Sequence, residues 1–190
     1  MKVKLTNILT PFLAVALSLL LSYLIISTSK YVRFWADDFC SSVFLQNNGY
    51  LGAQIAWWNS WTGRYSYIAF LDIVLSFGLL GIMVLPMILF VAFLIPLISS
   101  FGFIFAVIVT AIVLLNSPNL IQTFYWATGS LNYFIPFIFL NLFLLNLFKN
   151  NNKYKYLFSF VLMFVASGFS ESFAVSTIVF LSFVFLFLFF

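Results

Sequence analysis

Long apolar runs separated by short polar segments dominate this sequence of 190 residues. Hydrophobic residues make up 65% of the chain and charged residues only 6%, whereas an ordinary soluble domain is about 25% charged. A soluble fold of this size has too little interior to hide so much apolar surface. The composition therefore excludes a soluble globular enzyme, a disordered tail and a nucleic-acid-binding domain, and it indicates a protein whose main solvent is lipid.

Six apolar runs are candidate membrane spans, since a spanning helix needs about 20 apolar residues. We interpret the first run as a retained signal anchor, because it is long for a signal peptide and lacks a small-residue cleavage site. The second run is too long for one straight span, so either its helix is tilted and protrudes or its first turns lie outside the hydrocarbon. Gly78, Gly81 and Pro86 are the candidate points for a bend. The predicted fold is an all-α, polytopic transmembrane helix bundle that forms one membrane domain over residues 1–190. Its predicted spans are residues 8–28, 65–98, 101–115, 131–148, 156–168 and 173–190.

The basic residues predict the orientation, because Lys and Arg are enriched on the cytoplasmic side of membrane proteins. The lysines before the first span and those in loop 149–155 are predicted to be cytoplasmic. An even number of spans then separates them. Residues 30–64, 116–130 and 168–172 become outer loops under this orientation.

Every acidic residue of the chain falls in, or within about two turns of, these outer loops; they are Asp37, Asp38, Asp72 and Glu171. An acid within the membrane is costly, by about 2.5–3.5 kcal/mol at the centre of a spanning helix on insertion scales, so an acid in or near the membrane is a functional candidate. The adjacent pair Asp37 and Asp38 indicates catalytic or metal-binding carboxylates, with a helix cap as the alternative. Asp72 is either a structural partner or a support for another acid, and Glu171 is either functional or a local cap.

The first outer loop is predicted to contain two helices that lie on the membrane surface. They cover residues 41–46 and 51–61, with a turn between them at Asn47-Asn48-Gly49. Trp61 and the tryptophans before it favour headgroup depth. Arg64 is either a headgroup anchor or a phosphate ligand, since its planar fork suits phosphate oxygens.

The second outer loop carries a polar and aromatic cluster that includes Trp126, Asn132 and Tyr133. Such a cluster is either part of an aromatic belt at the membrane surface or a platform for a substrate. The residue types leave both interpretations open.

Five short motifs in this order resemble the GT-C superfamily of polytopic membrane glycosyltransferases, and most of all its bacterial O-antigen glucosyltransferase-like members. The matched pieces are Ala36-Asp37-Asp38-Phe39, Asn48-Gly49-Tyr50, Trp61-Thr62-Gly63-Arg64-Tyr65, Trp126 to Tyr133 followed by Pro136, and Gly168-Phe169-Ser170-Glu171-Ser172. The order of the pieces is more specific than any one of them.

The resemblance implies a multi-pass enzyme of the bacterial inner membrane, with a cytoplasmic N-terminus. Such an enzyme takes a sugar from a polyprenyl-phosphate carrier at the outer leaflet and transfers it to a cell-envelope glycan or lipid. Asp37 is the implied general base, Asp38 would orient the acceptor or help to hold Mg²⁺ or Mn²⁺, and Arg64 would offset charge on the leaving phosphate. The expected substrate-contacting residues are Arg64, Trp61, Tyr65, Asp72, Trp126, Asn132, Tyr133 and Glu171.

Members of the superfamily usually have more spans, and the sequence ends inside an apolar run, so we expect either an N-terminal part of a longer protein or a shortened member of the superfamily. Two alternatives to the enzyme remain: a transporter or lipid-translocating protein, and an inactive truncated fragment. A transporter places its acids near the bilayer midplane at broken helices. The predicted position of most acids near the outer edge therefore counts against transport.

Overall fold

The computed structural model describes residues 2–149 and 152–189, and every regular element in these ranges is a helix. The all-α prediction is therefore confirmed. Residues 150–151 of the lysine-rich loop, and Phe190 of the last predicted span, lie outside the described residues, as do Met1 and the side chains of Lys2 and Lys4. The helices are α1 (Lys2–Ser29), α2 (Asp37–Ser60), α3 (Tyr65–Ser76), α4 (Gly78–Phe101), α5 (Phe103–Leu115), a π-helix (Ile121–Tyr125), α6 (Ala127–Tyr133), α7 (Ile135–Lys149), α8 (Lys155–Ser167) and α9 (Glu171–Phe189).

Three helical stretches in the described ranges are long and apolar enough to cross a membrane. They are Leu9–Ser29, Gly78–Phe101 and Ala127–Lys149. The first and third coincide with the first and fourth predicted spans, and the second covers most of the second predicted span. These stretches support a membrane location for the chain.

The other three predicted spans, at residues 101–115, 156–168 and 173–190, fall on shorter helices. α5 and α8 have 13 residues each, which gives a length of about 20 Å against a hydrocarbon core of about 30 Å. The fully described part of α9, Glu171–Phe183, is also short for a spanning helix. By length and composition the described residues therefore support three spans, where the sequence predicted six.

The run predicted as one long span forms two helices that meet at a bend. α3 ends at Ser76, and α4 begins at Gly78, whose φ of 58° lies in the left-handed region that favours glycine. A Cβ atom at Gly81 would lie 2.0 Å from the carbonyl oxygen of Val74, so close contact between the two helices also requires glycine. The expected bend therefore lies at Gly78, whereas Pro86 lies inside α4.

The first predicted outer loop folds mainly as α2, which has one kink. Gly49 has non-helical dihedral angles, with φ 65° and ψ 171°, and it divides the helix into two halves. These halves correspond to the two helices that the sequence predicted on either side of the Asn-Gly turn. The first half begins earlier than predicted, at Asp37.

The second predicted outer loop, residues 116–130, contains helix where a loop was expected. The π-helix is followed by Trp126 in an extended conformation, and α6 begins at Ala127. Most of α6 is buried, and a Cβ atom at Gly129 would lie 2.0 Å from the carbonyl oxygen of Gln122. The loop prediction is thus corrected from residue 121 onward, because small residues let this polar segment pack into the protein.

α4 is the central helix of the bundle, since α1, α3, α5 and α7 all pack against it. Its buried side chains, among them Leu85, Leu89 and Phe93, form the middle of the apolar core. α7 and α8 form a second close pair, in which the side-chain amide of Asn146 donates to Ser159 Oγ at 2.8 Å. The starts of α2, α3, α6 and α9 meet at one place through hydrogen bonds between them.

The packing of α6 predicts that Gly129→Ala destabilises the protein by about 1–3 kcal/mol, because the added methyl group meets backbone rather than a movable side chain. The free energy of unfolding in mild detergent, measured by denaturant titration, tests this. Gly63→Ala is the matched control, since a Cβ atom there makes only an ordinary contact at 3.8 Å. Equal stability of the two variants would contradict the close packing of α6.

Candidate functional site

The site begins with a tight turn that leads into α2. The backbone N–H of Asp38 donates to the carbonyl of Trp35 at 3.0 Å, and the N–H of Trp35 donates back to Asp38 Oδ2 at 3.1 Å. Ala36 closes this turn with φ 47° and ψ −116°, a conformation that residues with a Cβ atom rarely adopt. The turn leaves Asp37 exposed and buries Asp38.

The carboxylate of Asp38 joins the start of α2 to the start of α6. Its Oδ1 accepts the backbone N–H of Thr128 at 3.1 Å and the hydroxyl of Thr128 at 2.8 Å. With the bond from Trp35, three donors satisfy a fully buried carboxylate. Burial raises the pKa of Asp38 above its ordinary value, the negative charge of Asp37 adds to this rise, and the three hydrogen bonds oppose it.

A chain of polar contacts runs from Asp38 across the site to Glu171. Asp38 is bonded to Thr128, and the carbonyl of Thr128 accepts the side-chain amide of Asn132 at 3.0 Å. Asn132 in turn contacts Arg64. Arg64 Nη1 contacts Asn132 Oδ1 at 3.5 Å, and Arg64 Nε donates to Glu171 Oε2 at 2.6 Å. This network brings together four predicted site residues from separate parts of the sequence, namely Asp38, Arg64, Asn132 and Glu171.

Trp126 packs beside the same turn. Its indole Nε1–H donates to the carbonyl of Trp35 at 2.9 Å, and the two ring centroids lie 5.6 Å apart. The peptide of Trp35 is therefore held from both sides, by Asp38 and by Trp126. This contact gives the half-buried Trp126 a structural role in the site.

The start of α3 docks on the turn between α8 and α9. The carbonyl of Gly168 accepts the backbone N–H groups of Ser66 and Tyr67, at 3.1 and 3.2 Å, and so satisfies two free donors of the helix start. Tyr65 stacks on Phe164 and donates its hydroxyl to the carbonyl of that residue. A Cβ atom at Gly168 would lie 2.4 Å from the Tyr65 ring, so this approach requires glycine.

Tyr67 is a central residue of the site that the sequence did not single out. Its ring is buried, and it lies within electrostatic range of Asp37, Asp38 and Arg64. Neither Tyr67 nor Trp35 could be identified as a site residue from the sequence alone. Tyr67 belongs to the site because it is buried there, and Trp35 because its backbone N–H and carbonyl make hydrogen bonds.

Three of the predicted residues lie apart from this network. Asp72 is buried between α2 and α3, where Oδ2 accepts the side-chain amide of Gln54 at 2.6 Å and Oδ1 has no hydrogen-bond partner among the described residues. Trp61 is exposed and packs on Trp57, with ring centroids 5.0 Å apart. Tyr133 is exposed at the end of α6.

Asp72 follows Arg64 by eight residues, a spacing that would place both on one face of a single helix. Arg64 has non-helical dihedral angles and precedes the first residue of α3, so the helical spacing does not extend to it. Asp72 instead faces Gln54 of α2.

A cavity of about 460 Å³ lies beside the network, between α6, α7 and α9. Asn132 and Tyr133 line it, together with hydroxyl groups of Ser172, Ser176 and Thr177. Phenylalanine rings, including that of Phe137, complete its wall. The cavity therefore combines a polar lining near the network with an apolar lining.

The residues around Asp38 do not fit a resident divalent cation. Both of its carboxylate oxygens face hydrogen-bond donors, whereas a metal ion needs free oxygen lone pairs. Asp37 is the only exposed carboxylate of the pair. In residues 2–149 and 152–189 no three acids or cysteines come together as a ligand group.

Comparisons with protein-family models, with curated proteins and with solved structures give no match to this chain. Membership of the GT-C superfamily therefore stays a prediction from the sequence motifs.

The raised pKa of Asp38 predicts how stability depends on pH. A carboxyl that binds its proton more tightly in the folded state stabilises the fold below its unfolded pKa of about 3.8, and this contribution is lost as pH rises through the folded pKa. The unfolding free energy of the wild type, relative to Asp38→Asn, should therefore fall as pH rises above about 3.8. Denaturant titrations of both proteins measure it, and a difference that rises with pH would contradict the assignment.

The strained turn predicts that Ala36→Gly stabilises the protein by about 1 kcal/mol, because glycine adopts this conformation without steric cost. Ala53→Gly is the control, since Ala53 is buried inside α2 and the same change there should destabilise by about 1 kcal/mol. Thermal unfolding followed by intrinsic fluorescence compares the two. Destabilisation by both substitutions would show that Ala36 is unstrained.

Proposed function

We propose that this chain is a membrane glycosyltransferase, or the catalytic part of one. It transfers a hexose from a polyprenyl-phosphate sugar to a cell-envelope glycan or lipid. One observation carries the proposal: the hydrogen-bond network that runs from Asp38 to Glu171 holds an exposed carboxylate, Asp37, and a partly exposed guanidinium, Arg64, where four helix starts meet. Glycosyl transfer from a phosphate uses a base for the acceptor hydroxyl and a cation with spare N–H donors for the leaving phosphate, and Asp37 and Arg64 supply these two groups in the proposal.

Asp37 is the proposed general base. Its carboxylate makes no hydrogen bond or ion pair with the residues that the structure describes, so it is free to accept a proton. It takes the proton of the acceptor hydroxyl while the hydroxyl oxygen attacks the anomeric carbon of the donor sugar. The bond from that carbon to the phosphate oxygen breaks, the phosphate leaves with the electron pair, and the configuration at the anomeric carbon inverts.

Arg64 is the proposed ligand of the leaving phosphate. Its contacts to Glu171 and Asn132 use two of the five guanidinium N–H donors, and these contacts fix the plane of the group. The remaining donors are available for phosphate oxygens, which match the planar fork of arginine. The nearby helix starts add partial positive charge, which further favours a phosphate.

Asp38 is proposed to position Asp37 rather than to react. Its oxygens are occupied by Thr128 and Trp35, and this fixes the first turn of α2 and the direction of its neighbour. No step of the proposed reaction needs a divalent cation. The role that the sequence suggested for Mg²⁺ or Mn²⁺ therefore has no part in the mechanism.

The bilayer and an amphipathic donor complete the proposal. The cavity beside Asn132 has hydroxyl groups and apolar rings in its lining, which suits a lipid phosphate at the membrane edge. We place the site on the outer face of the bacterial inner membrane, with the N-terminus in the cytoplasm and α2 along the membrane surface. Trp58 lies in α2 and Trp61 directly follows it. Both tryptophans are exposed, which is consistent with a position at headgroup depth.

Asp37→Asn should reduce transfer by at least about 10²-fold, since the amide cannot take the acceptor proton. Membranes that contain the full chain are incubated with radiolabelled polyprenyl-phosphate sugars, and label in the acceptor is counted. Cys40→Ser is the control, because Cys40 is equally exposed in the first turns of α2 and takes no part in the proposed chemistry. Full transfer by Asp37→Asn would remove Asp37 as the base.

Arg64→Gln tests the phosphate ligand in the same assay. Loss of the cation should lower transfer from every polyprenyl-phosphate sugar tried, whatever the sugar, because the phosphate is common to all of them. Equal transfer by Arg64→Gln and wild type would contradict the role of Arg64. A folded wild type with no transfer from any donor would contradict the enzyme proposal for this chain.

A further inference from the structure

A second cavity of about 460 Å³ lies between the end of α1 and the π-helix. Its size falls within the range of small-molecule sites, about 300–1,000 Å³. Its lining is mainly aromatic and includes one cation; the residues that define this aromatic cavity are Tyr31, Phe34, Trp35, Tyr125, Trp126 and Arg33. Only Trp126 among them was expected from the sequence to contact a substrate.

The walls of the aromatic cavity are held in place by hydrogen bonds. Thr28 Oγ1 donates to the hydroxyl of Tyr125 at 2.8 Å, which ties the end of α1 to the π-helix. Trp126 donates to the carbonyl of Trp35, and the planes of the two rings cross at 56°. The cavity is thus largely formed before any ligand binds, which lowers the entropic cost of binding.

The lining has the chemistry that recognises a sugar ring. The C–H faces of a pyranose are apolar and weakly electropositive, so they stack on the electron-rich faces of aromatic rings. Arg33 donates through Nη1 to the carbonyls of Lys30 and Val32, and these bonds hold the guanidinium in place. Its remaining N–H groups can serve as donors to sugar hydroxyls.

We propose that the aromatic cavity binds the pyranose ring of the acceptor. The ligand class rests on the proposed glycosyl transfer, whereas the position rests on the cavity itself. Trp35 lines the cavity and also forms the turn that carries Asp37. Asp37 follows Trp35 by two residues in that turn, so the proposal has a sugar on Trp35 present its hydroxyl to Asp37 from this side and the donor approach from the Asn132 side of the network.

The test is binding without turnover. The full chain is placed in phosphatidylcholine nanodiscs that are free of sugar-based detergent, and methyl α-D-glucopyranoside is titrated while saturation-transfer NMR reports contact with the protein. We expect transfer of saturation to the ring C–H protons of the glucoside. Tyr31→Ala should weaken binding by about fivefold or more, because a stacking ring is lost.

Tyr154→Ala is the matched control. Tyr31 and Tyr154 are both exposed, and each has the ammonium of the preceding lysine over its ring. The distance to the ring centroid is 5.0 Å for Lys30 and Tyr31, and 4.9 Å for Lys153 and Tyr154. It lies outside the aromatic cavity, so this substitution should leave glucoside binding unchanged. Equal weakening by both substitutions would overturn the proposal, as would saturation transfer no greater than that with empty nanodiscs.

Two further outcomes separate this inference from the proposed function. Binding of sn-glycerol 3-phosphate, with no binding of the glucoside, would assign the cavity to a lipid headgroup and overturn the sugar site. Glucoside binding that depends on Tyr31, together with full transfer by Asp37→Asn, would support the cavity and contradict the catalytic role of Asp37. Transfer that survives unchanged in Tyr31→Ala would overturn the acceptor site alone.

Discussion

The burial of the Asp38 carboxylate is the constraint on which the candidate site depends. A carboxylate removed from water must receive hydrogen bonds, and its own turn supplies only one of the three it has, from Trp35. The backbone and hydroxyl of Thr128 supply the others. The start of α6 must therefore lie against the start of α2, and this contact fixes where the exposed Asp37 stands.

A second requirement arises from the start of α3, whose backbone N–H groups also need acceptors away from water. The Gly168 carbonyl accepts two of them, and the absence of a Cβ atom lets Tyr65 approach. This contact brings Arg64 next to Glu171. The two anchors, at Thr128 and at Gly168, together assemble residues that are far apart in sequence. The same physical rule, that buried polar groups must be paired, explains both.

Much of the site could be predicted because charged residues are rare in this chain. With so few acids, their grouping near the predicted outer loops was visible from the sequence, and so was the turn at Gly49. The burial of Asp38 beside an exposed Asp37 was not visible, since it depends on hydrogen bonds to Asp38 from Thr128, which is far away in the sequence. The partnership of Asp72 with Gln54 was equally hidden, because it joins two helices.

The sequence by itself determined the class of the protein: helical, apolar and suited to a membrane, with its acids gathered in a few segments. Composition and hydrophobic periodicity suffice for that, because they reflect how each segment interacts with its solvent. Only the tertiary structure decided which helices are long enough to span, that residues 121–125 and 127–130 are helical, and which carboxylate is buried. Those outcomes depend on packing and on hydrogen bonds between distant segments, which local patterns do not encode.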